Sequence, residues 1–337
     1  MPNPVLVEVT RGDLVESFHC GAFALATPDG RVVSSAGDIE RPIYPRSAIK
    51  AFQALPVVES GAAAQYGFGA RELALVCASH SGTEEHTGLA ADMLRRCGLS
   101  ERALACGAHD PVSETAARKL HGEGIAPSRI HNNCSGKHAG MVATCVQCGD
   151  PVANYCNTEH PHQRRIARAL ADMTGADIAR APVGIDGCSA PNWAIPLRQL
   201  AIGFARYVTG SGLTAERAHV CREITEACMA HSGMVAGPGR LDTVAMGQLP
   251  GRVFMKTGAE AVYCGAFPES GLGFALKIDD GTKRASEALM AGLIQRHLKT
   301  SDTFGALGTY RNYAGLEVGE IRLADEAQTK LDILARK

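Results

Sequence analysis

The chain has 337 residues and a net charge of -1 at neutral pH, from 34 basic and 35 acidic residues. It is long enough for one large domain or two ordinary ones whose core needs no disulfide support, so its 12 cysteines are expected to be mostly reduced packing residues. The balanced charge argues against nucleic acid and anionic membranes as partners, and the lack of a signal-like N-terminus or of an apolar run near roughly 18 residues predicts a cytoplasmic protein.

The N-terminal part of the chain has the alternating pattern of antiparallel strands. Apolar and polar residues alternate over residues 5–9, 17–26 and 31–35, and Pro28-Asp29-Gly30 is a turn signal between the last two segments. From Pro45 onward the apolar residues follow helical spacing, and a proline suits the first turn of a helix. Ser47 is therefore predicted to lie at a helix N-terminus.

The middle of the chain is predicted to be mostly helical, and strands return near the C-terminus. Further helices are predicted at about residues 70–77, 85–97, 113–121, 136–147, 161–174, 193–207, 215–231 and 283–298. Later strands are predicted at 252–256, 261–267 and 272–278. This order indicates an α+β fold, in which N- and C-terminal strands form one antiparallel sheet beside a mostly helical middle portion. We expect a single catalytic unit over residues 1–337, with sheet parts at about 1–44 and 250–298 and a helical part at about 45–249.

Two separated segments contain the groups of a serine acyl-transfer site. Ser47 and Lys50 lie three residues apart, which on a helix places the hydroxyl and the amine on one face. Serine attacks well only when a base takes its proton, and lysine serves as that base when burial or a second cation lowers its pKa. Lys256, which ends an apolar strand before Thr257 and Gly258, can supply that cation. A plain helix cap by Ser47 is the alternative, and the second lysine disfavours it.

Three further segments add polar groups that structure alone does not require. Ser79 follows an apolar helix and is a second candidate hydroxyl. Residues 131–141 place amides, a thiol, an amine and an imidazole at the start of a helix, where free backbone N–H groups attract anions. A Gly-rich loop at 184–191 carries Asp186 and Cys188 ahead of another helix. Taken singly, the Ser79 segment and the Gly-rich loop are equally consistent with a simple polar turn.

Together these segments resemble the asparaginase II family of the rhizobial type. The resemblance extends from about residue 8 to about residue 298, with no departure at its specific motifs. Those motifs are Pro45-Arg46-Ser47-Ala48-Ile49-Lys50, Ser79-His80-Ser81-Gly82, Asn132-Asn133-Cys134-Ser135-Gly136-Lys137-His138, Gly184-Ile185-Asp186-Gly187-Cys188 and Lys256-Thr257-Gly258. The resemblance implies a serine β-lactamase/glutaminase-like fold, a homodimer, and hydrolysis of L-asparagine to L-aspartate and ammonia.

The resemblance also implies roles for individual residues. It pairs Ser47 with Lys50 and Ser79 with Lys256, and it implies a zinc ion held by Cys134, Lys137 and Cys188. Lysine is a rare zinc ligand, because keeping an amine of reference pKa 10.4 neutral at pH 7 costs roughly 4 to 5 kcal/mol, which coordination must offset. We expect such a zinc ion to orient the substrate and the Cys134 loop.

The same site must also hold the substrate and stabilise the charge that develops during attack. We expect the charged groups of the substrate to be bound by Arg46, His138 and Asp186, with Asp186 for the ammonium. The remaining substrate-binding candidates are Asn133, Thr257 and Gly258. The backbone N–H of Ser47 is the expected oxyanion donor.

Several alternatives stay open from the sequence. A glutaminase or another serine amidase is possible, because one methylene changes discrimination by only about 1 to 3 kcal/mol. Cys134 as nucleophile with His138 as base is another alternative, and an amino-acid binding protein on a hydrolase scaffold is the non-enzymatic one. A second thiol group has metal-like spacing but includes two cysteines inside a predicted helix, so packing is expected there. It comprises Cys145, Cys148, Cys156, His160 and His162.

Overall fold

The computed structural model describes residues 2–335. The strands of this part are β1 (Val5–Arg11), β2 (Leu14–Ala26), β3 (Val32–Ala36), β4 (Pro42–Ile43), β5 (Val183–Ile185), β6 (Pro191–Trp193), β7 (Ile195–Pro196), β8 (Phe254–Gly258), β9 (Val262–Phe267), β10 (Leu272–Ile278), β11 (Gly308–Arg311) and β12 (Glu317–Leu323). The helices are α1 (Lys50–Glu59), α2 (Ala62–Gln65), α3 (Ala70–Val76), α4 (Glu84–Arg96), α5 (Glu114–Gly122), α6 (Ser135–Cys148), α7 (Pro161–Thr174), α8 (Leu197–Thr209), α9 (Ala215–Ala230), α10 (Ser232–Val235), α11 (Leu241–Gln248), α12 (Lys283–Leu298) and α13 (Asp325–Ala335). Short 3-10 turns occupy Arg46–Ile49, Glu101–Ala103 and Arg129–His131.

The main sheet is antiparallel and combines strands from both ends of the chain. Its order is β11-β12-β1-β2-β10-β9-β8, and β3 pairs with the second half of β2. The first half of β2 pairs with β1 and its second half with β10, so this long strand joins the two parts of the sheet. Between β3 and β8 the chain is mostly helical. The predicted fold class is thereby confirmed.

An aromatic cluster fixes the start of α1 relative to strand β8. The rings of Phe52 on α1 and Phe204 on α8 are 4.6 Å apart between centroids, and Tyr207 on α8 stacks at 6.0 Å on Phe254 of β8. The Tyr207 hydroxyl also donates to the carbonyl of Ala51 at 3.0 Å. Aromatic pairs of this kind contribute about 0.5 to 1.5 kcal/mol each beyond their buried area. The cluster therefore holds the segments that carry Lys50 and Lys256 at a fixed separation.

Most of the predicted elements are present, and the differences have local causes. Helices α7 and α12 and strand β10 have the predicted bounds. The helix predicted from residue 193 begins instead at Leu197, because the extended residue Pro196 precedes it and strands β6 and β7 occupy the predicted start. Strands β11 and β12 lie beyond the predicted sheet parts, and α1 begins only at Lys50, after a 3-10 turn.

Among the helices of residues 2–335, not one combines the length and the apolar character that crossing a bilayer requires.

Candidate active site

A cavity of about 240 Å³ opens where the end of β8 meets the turn that precedes α1. Drug-sized ligands need pockets of roughly 300 Å³ or more, so this volume suits a substrate of few atoms. Five of the residues predicted for the site line it, namely Ser47, Ser79, Asn133, Thr257 and Gly258. The structure thus brings together four segments that are far apart in the sequence.

Lys50 lies behind this cavity and links two of its loops. Its side chain is buried, and its ammonium donates to the Ser79 hydroxyl and to the Cys134 sulfur, each at 3.0 Å. It also donates to the carbonyl of Ala78. An ammonium has three donors, so these three acceptors satisfy it completely. Within residues 2–335 no hydrogen bond joins Ser47 to Lys50 or Ser79 to Lys256, and Lys50 contacts Ser79 instead.

Ser47 lies on a strained turn and keeps its hydroxyl free. The preceding residue, Arg46, has a φ of +54°, a left-handed conformation that non-glycine residues adopt mainly at turns and functional sites. Ser47 is partly exposed, and its hydroxyl has no hydrogen-bond partner among the described residues. Ser79 differs, because it is buried and engaged with Lys50. The turn therefore presents the Ser47 oxygen to the cavity.

Arg46 and Asp186 bind each other. The Nε and Nη2 atoms of Arg46 lie 2.8 and 2.7 Å from Oδ1 of Asp186, which also accepts the N–H of Gly187 at 2.9 Å. This ion pair connects the Ser47 turn with the loop that carries Cys188. Both charges are thus engaged within the protein and neither side chain lines the cavity described above.

Lys256 is buried beside a carboxylate that the sequence did not indicate. Its ammonium donates to the carbonyl of Thr257 at 2.7 Å and lies 4.0 Å from Oδ1 of Asp242, which is fully buried. Burial lowers the pKa of Lys256 to about 7, while the Asp242 carboxylate opposes this and the Lys50 ammonium adds to it. Asp242 also accepts the N–H of Thr257 at 2.7 Å. A pKa near 7 makes the neutral amine, which is the form that can act as a base, accessible near neutral pH.

The three predicted metal ligands converge behind the Ser79 loop. Cys134, Lys137 and Cys188 are all buried, and the ammonium of Lys137 lies 3.1 Å from the Cys188 sulfur. A hydrogen bond from the Cys134 thiol lowers the pKa of Cys188 and raises that of Cys134. Burial opposes the charge of Lys137, but the neighbouring sulfurs raise its pKa. These shifts favour the charged forms of Lys137 and Cys188.

Two thiols and an amine are donors that zinc can accept, and the contact between Lys137 and Cys188 is close to the spacing of zinc ligands. Two sulfurs and one nitrogen around tetrahedral zinc stand roughly 3.5 Å apart, so a 3.1 Å separation needs only a small adjustment. His138 lies beside this cluster, where burial lowers its pKa, and its Nδ1 is 2.5 Å from the Tyr155 hydroxyl. Its Nε2 is buried without a hydrogen-bond partner in the described part of the chain. The structure thus places His138 beside the thiol cluster, away from the cavity lining.

In the second thiol group the structure shows a helix cap, a buried thiol and an exposed thiol. His160 caps helix α7 by accepting the N–H of His162 at 3.1 Å, and its other ring nitrogen lies 2.9 Å from the carbonyl of Pro151. Cys145 is a buried thiol whose pKa burial raises to about 12, whereas Cys148 is exposed. Across residues 2–335, no set of three or more His, Cys, Asp or Glu side chains is arranged to hold a metal.

Comparison with protein families identifies the group to which this chain is related. A family model described as L-asparaginase II matches residues 7–323. The chain belongs to the L-asparaginase II family. It is accordingly an asparaginase-type amidohydrolase.

Two solved structures were found to be similar to this chain over part of their length. They are described as Mglu in its native form, and Mglu in its native form in the presence of 4.3 M NaCl. They are 17% and 16% identical to this chain, with TM-scores of 0.43 and 0.44. Each alignment covers 88% of this chain, and 69% and 66% of the other. No curated protein matches this chain.

Two residues at this candidate site were missed by the sequence reasoning. Arg240 and Asp242 begin helix α11, which was not predicted because it is short and follows Gly237-Pro238-Gly239. Arg240 lines the cavity and Asp242 supports Lys256. The sequence did contain a signal for this helix, because Arg240 and Asp242 stand at the start of a segment with apolar residues at helical spacing. Those apolar residues are Leu241, Val244 and Ala245.

Gly258 is needed in this site because the Ser47 turn packs directly on it. A Cβ added at Gly258 would lie 2.6 Å from the carbonyl oxygen of Pro45 and 3.1 Å from the nitrogen of Ala48. We expect Gly258→Ala to lower the free energy of unfolding by about 1 to 3 kcal/mol, measured by urea denaturation. Gly88→Ala is the control, since a Cβ there meets nothing within 4 Å and helix propensity favours alanine. Equal stability of the two variants would contradict the prediction.

Proposed function

We propose that this protein hydrolyses L-asparagine to L-aspartate and ammonia by serine acyl transfer. The observation that carries the proposal is one small cavity lined by two serine hydroxyls, with two buried lysines behind it. One of these lysines has a pKa of about 7. Family membership supports an amide as the substrate.

Ser47 is the proposed nucleophile. Its free hydroxyl attacks the side-chain carboxamide carbon, and Lys256, in its neutral form, accepts the proton released. The resulting ammonium returns that proton to the departing amide nitrogen, so that ammonia leaves and an aspartyl ester on Ser47 remains. Water then attacks the ester, releasing aspartate and restoring the hydroxyl. The backbone N–H of Ser47 is the proposed donor to the oxyanion.

Ser79 and Lys50 are proposed to position and relay protons. The Ser79 hydroxyl lines the cavity and bonds to the ammonium of Lys50 at 3.0 Å, so it can pass a proton between that ammonium and a group in the cavity. The charge of Lys50 also lowers the pKa of Lys256. This division differs from the pairing that the resemblance implies, in which Lys50 activates Ser47.

Cys134, Lys137 and Cys188 are proposed to hold a zinc ion. When bound, zinc supplies a fixed positive charge and a template that orders the loops holding it. Since Lys137 must lose a proton to become a ligand, binding should tighten as pH rises. The same residues disfavour Cys134 as the nucleophile, because the thiol is buried and its bond to Cys188 raises its pKa.

The proposal is tested by ammonia release from asparagine, glutamine and β-aspartyl peptides, each with and without a chelator. Metal content per chain is measured on the same samples, and Cys188→Ser tests the zinc ligands. Release from asparagine in preference to glutamine supports the proposal, whereas no release from any amide would refute it. Metal loss without loss of turnover would limit zinc to a structural role.

Two finer predictions accompany this function. The resemblance implies a homodimer, which the molar mass in solution by light scattering would check. Within residues 2–335 the cysteines are free and several are buried, which supports the expectation of a reducing compartment such as the cytoplasm. Fractionation of the producing cells would test that location.

Asp242 is expected to set the pH at which Lys256 becomes active. Lys256 acts as a base only when deprotonated, so kcat/KM should rise with pH through about 7. The Asp242 carboxylate raises this pKa, so its removal in Asp242→Asn should move the acid limb of the profile to lower pH. In this variant the amide oxygen of the introduced side chain at position 242 can still accept the N–H of Thr257. The control is Asp13→Asn, in the exposed turn between β1 and β2, which should leave the acid limb of the pH profile unchanged. An acid limb that stays in place in Asp242→Asn would contradict the role of Asp242 in setting the pKa of Lys256.

A further inference from the structure

An amino-acid substrate brings two opposite charges into the cavity, and the residues expected to bind them are engaged elsewhere. Arg46 and Asp186 neutralise each other through contacts of 2.7 and 2.8 Å. His138 is buried against Tyr155. A zwitterion bound next to Ser47 therefore needs another cation and another anion, and both should line the cavity itself.

Arg240 is a cation that lines the cavity. It lies at the start of α11, and its Nη1 donates to the carbonyl of Ser79 at 3.3 Å. No carboxylate in residues 2–335 lies within ion-pair distance of its guanidinium. Lys283, the other cation at the cavity wall, is largely exposed and lies 3.4 Å from Glu287. Arginine presents a planar set of donors that matches a carboxylate, so Arg240 is the better anion site.

Glu260 is the matching anion on the cavity wall. It lies in the turn between β8 and β9, where Glu260 and Ala261 have φ values of +60° and +58°. Positive φ at two consecutive residues is the conformation of a tight turn between antiparallel strands, and it fixes the position of Glu260 at the end of the hairpin. A Cβ on Gly281 would lie 2.7 Å from the Glu260 carboxylate, so glycine at 281 leaves room for that group. Among the described residues Glu260 forms no ion pair.

We propose that Arg240 binds the α-carboxylate and Glu260 the α-ammonium of the substrate, which makes the site selective for amides of free amino acids. This inference rests on the proposed function, since it concerns the same cavity. The carboxylate lies beside the Ser79 loop and the ammonium beside the β8–β9 turn. An amide without the α-carboxylate should then gain nothing from Arg240, and an amide without the α-ammonium should gain nothing from Glu260.

The test compares three amides that differ by a single charged group. Asparagine carries both groups, succinamate lacks the ammonium, and 3-aminopropanamide lacks the carboxylate. In Arg240→Met, kcat/KM should fall roughly 10- to 100-fold for asparagine and succinamate, but less than about 3-fold for 3-aminopropanamide. In Glu260→Gln, it should fall roughly 3- to 10-fold for asparagine and 3-aminopropanamide, with succinamate little changed. Lys283→Met is the matched control and should show neither pattern.

The outcomes separate this inference from the proposed function. An equal loss of kcat/KM for all three amides in Arg240→Met would show a general structural role and overturn the assignment of Arg240. A loss of kcat/KM in Lys283→Met that is confined to the amides with a carboxylate would overturn it as well. If the wild-type protein hydrolyses none of the amides, the proposed function fails. Asparagine is then a stable ligand, and its calorimetric affinity should still fall at least about 10-fold in Arg240→Met. No binding by the wild-type protein would overturn both proposals.

Discussion

Ser47→Ala is expected to lower kcat for ammonia release from asparagine by roughly 10⁴-fold or more, because it removes the proposed nucleophile. Ser47 is partly exposed, follows the strained residue Arg46 at φ +54°, and has a hydroxyl free of protein contacts in the described residues. Ser79 has the opposite character, since it is buried and bonded to Lys50. Ser79→Ala should therefore cost less, roughly 10²- to 10³-fold, because it removes a proton relay and leaves the nucleophile.

Ser286→Ala is the matched control for these two variants. Ser286 lines the same cavity, but its hydroxyl donates to the carbonyl of Lys283 in its own helix, so activity should stay within a few-fold of wild type. Hydroxylamine competing with water should convert the acyl-enzyme to a hydroxamate, and mass spectrometry of acid-quenched enzyme should place the acyl group on the peptide containing Ser47. An acyl group on the peptide containing Ser79, or near-normal turnover by Ser47→Ala, would contradict the assignment of Ser47 as the nucleophile.

Lys256→Met is expected to reduce kcat/KM at pH 7 by about 10²- to 10⁴-fold, the range for loss of a positioned general base. The wild-type profile should rise with pH through about 7, because burial places the pKa of Lys256 there. In Lys256→Met, kcat/KM should be low and should no longer rise with pH near 7. Initial rates across the pH range, determined for both proteins, provide the measurement.

This substitution also leaves the buried Asp242 without its cation, so stability must be followed separately. The double variant Lys256→Met with Asp242→Asn removes both charges and should regain thermal stability without regaining activity. Recovery of activity in the double variant would show that the single variant failed by misfolding. Persistence of the acid limb near pH 7 in a folded Lys256→Met would assign it to another group.

The parts of the fold that follow local rules were predicted well from the sequence. Helix α12 and strand β10 have strong periodic patterns, and the structure reproduces their bounds. Strand β11 was missed because it is mostly exposed and lacks an apolar face that an alternating pattern would reveal. Helix α8 was predicted too early because a proline signals the end of an extended segment as readily as the start of a helix.

Within the site, the sequence identified the segments better than the contacts between them. Ser47, Ser79 and Gly258 were predicted and do line one cavity. The bond between Lys50 and Ser79, and the support of Lys256 by Asp242, depend on how distant loops fold against one another. No spacing rule along the chain contains that information.

The pairing of β1 with β12 has a consequence for synthesis on the ribosome. The Thr10 hydroxyl accepts the N–H of Glu320, a residue 310 positions later. Strand β1 therefore cannot pair with β12 until those later residues have been synthesised. Until then its N–H and C=O groups on that side are an open edge to which other chains can bind. Such distant contacts also slow folding, because a very long loop must close first. We therefore expect nascent β1 to be a segment that chaperones bind before β12 is synthesised.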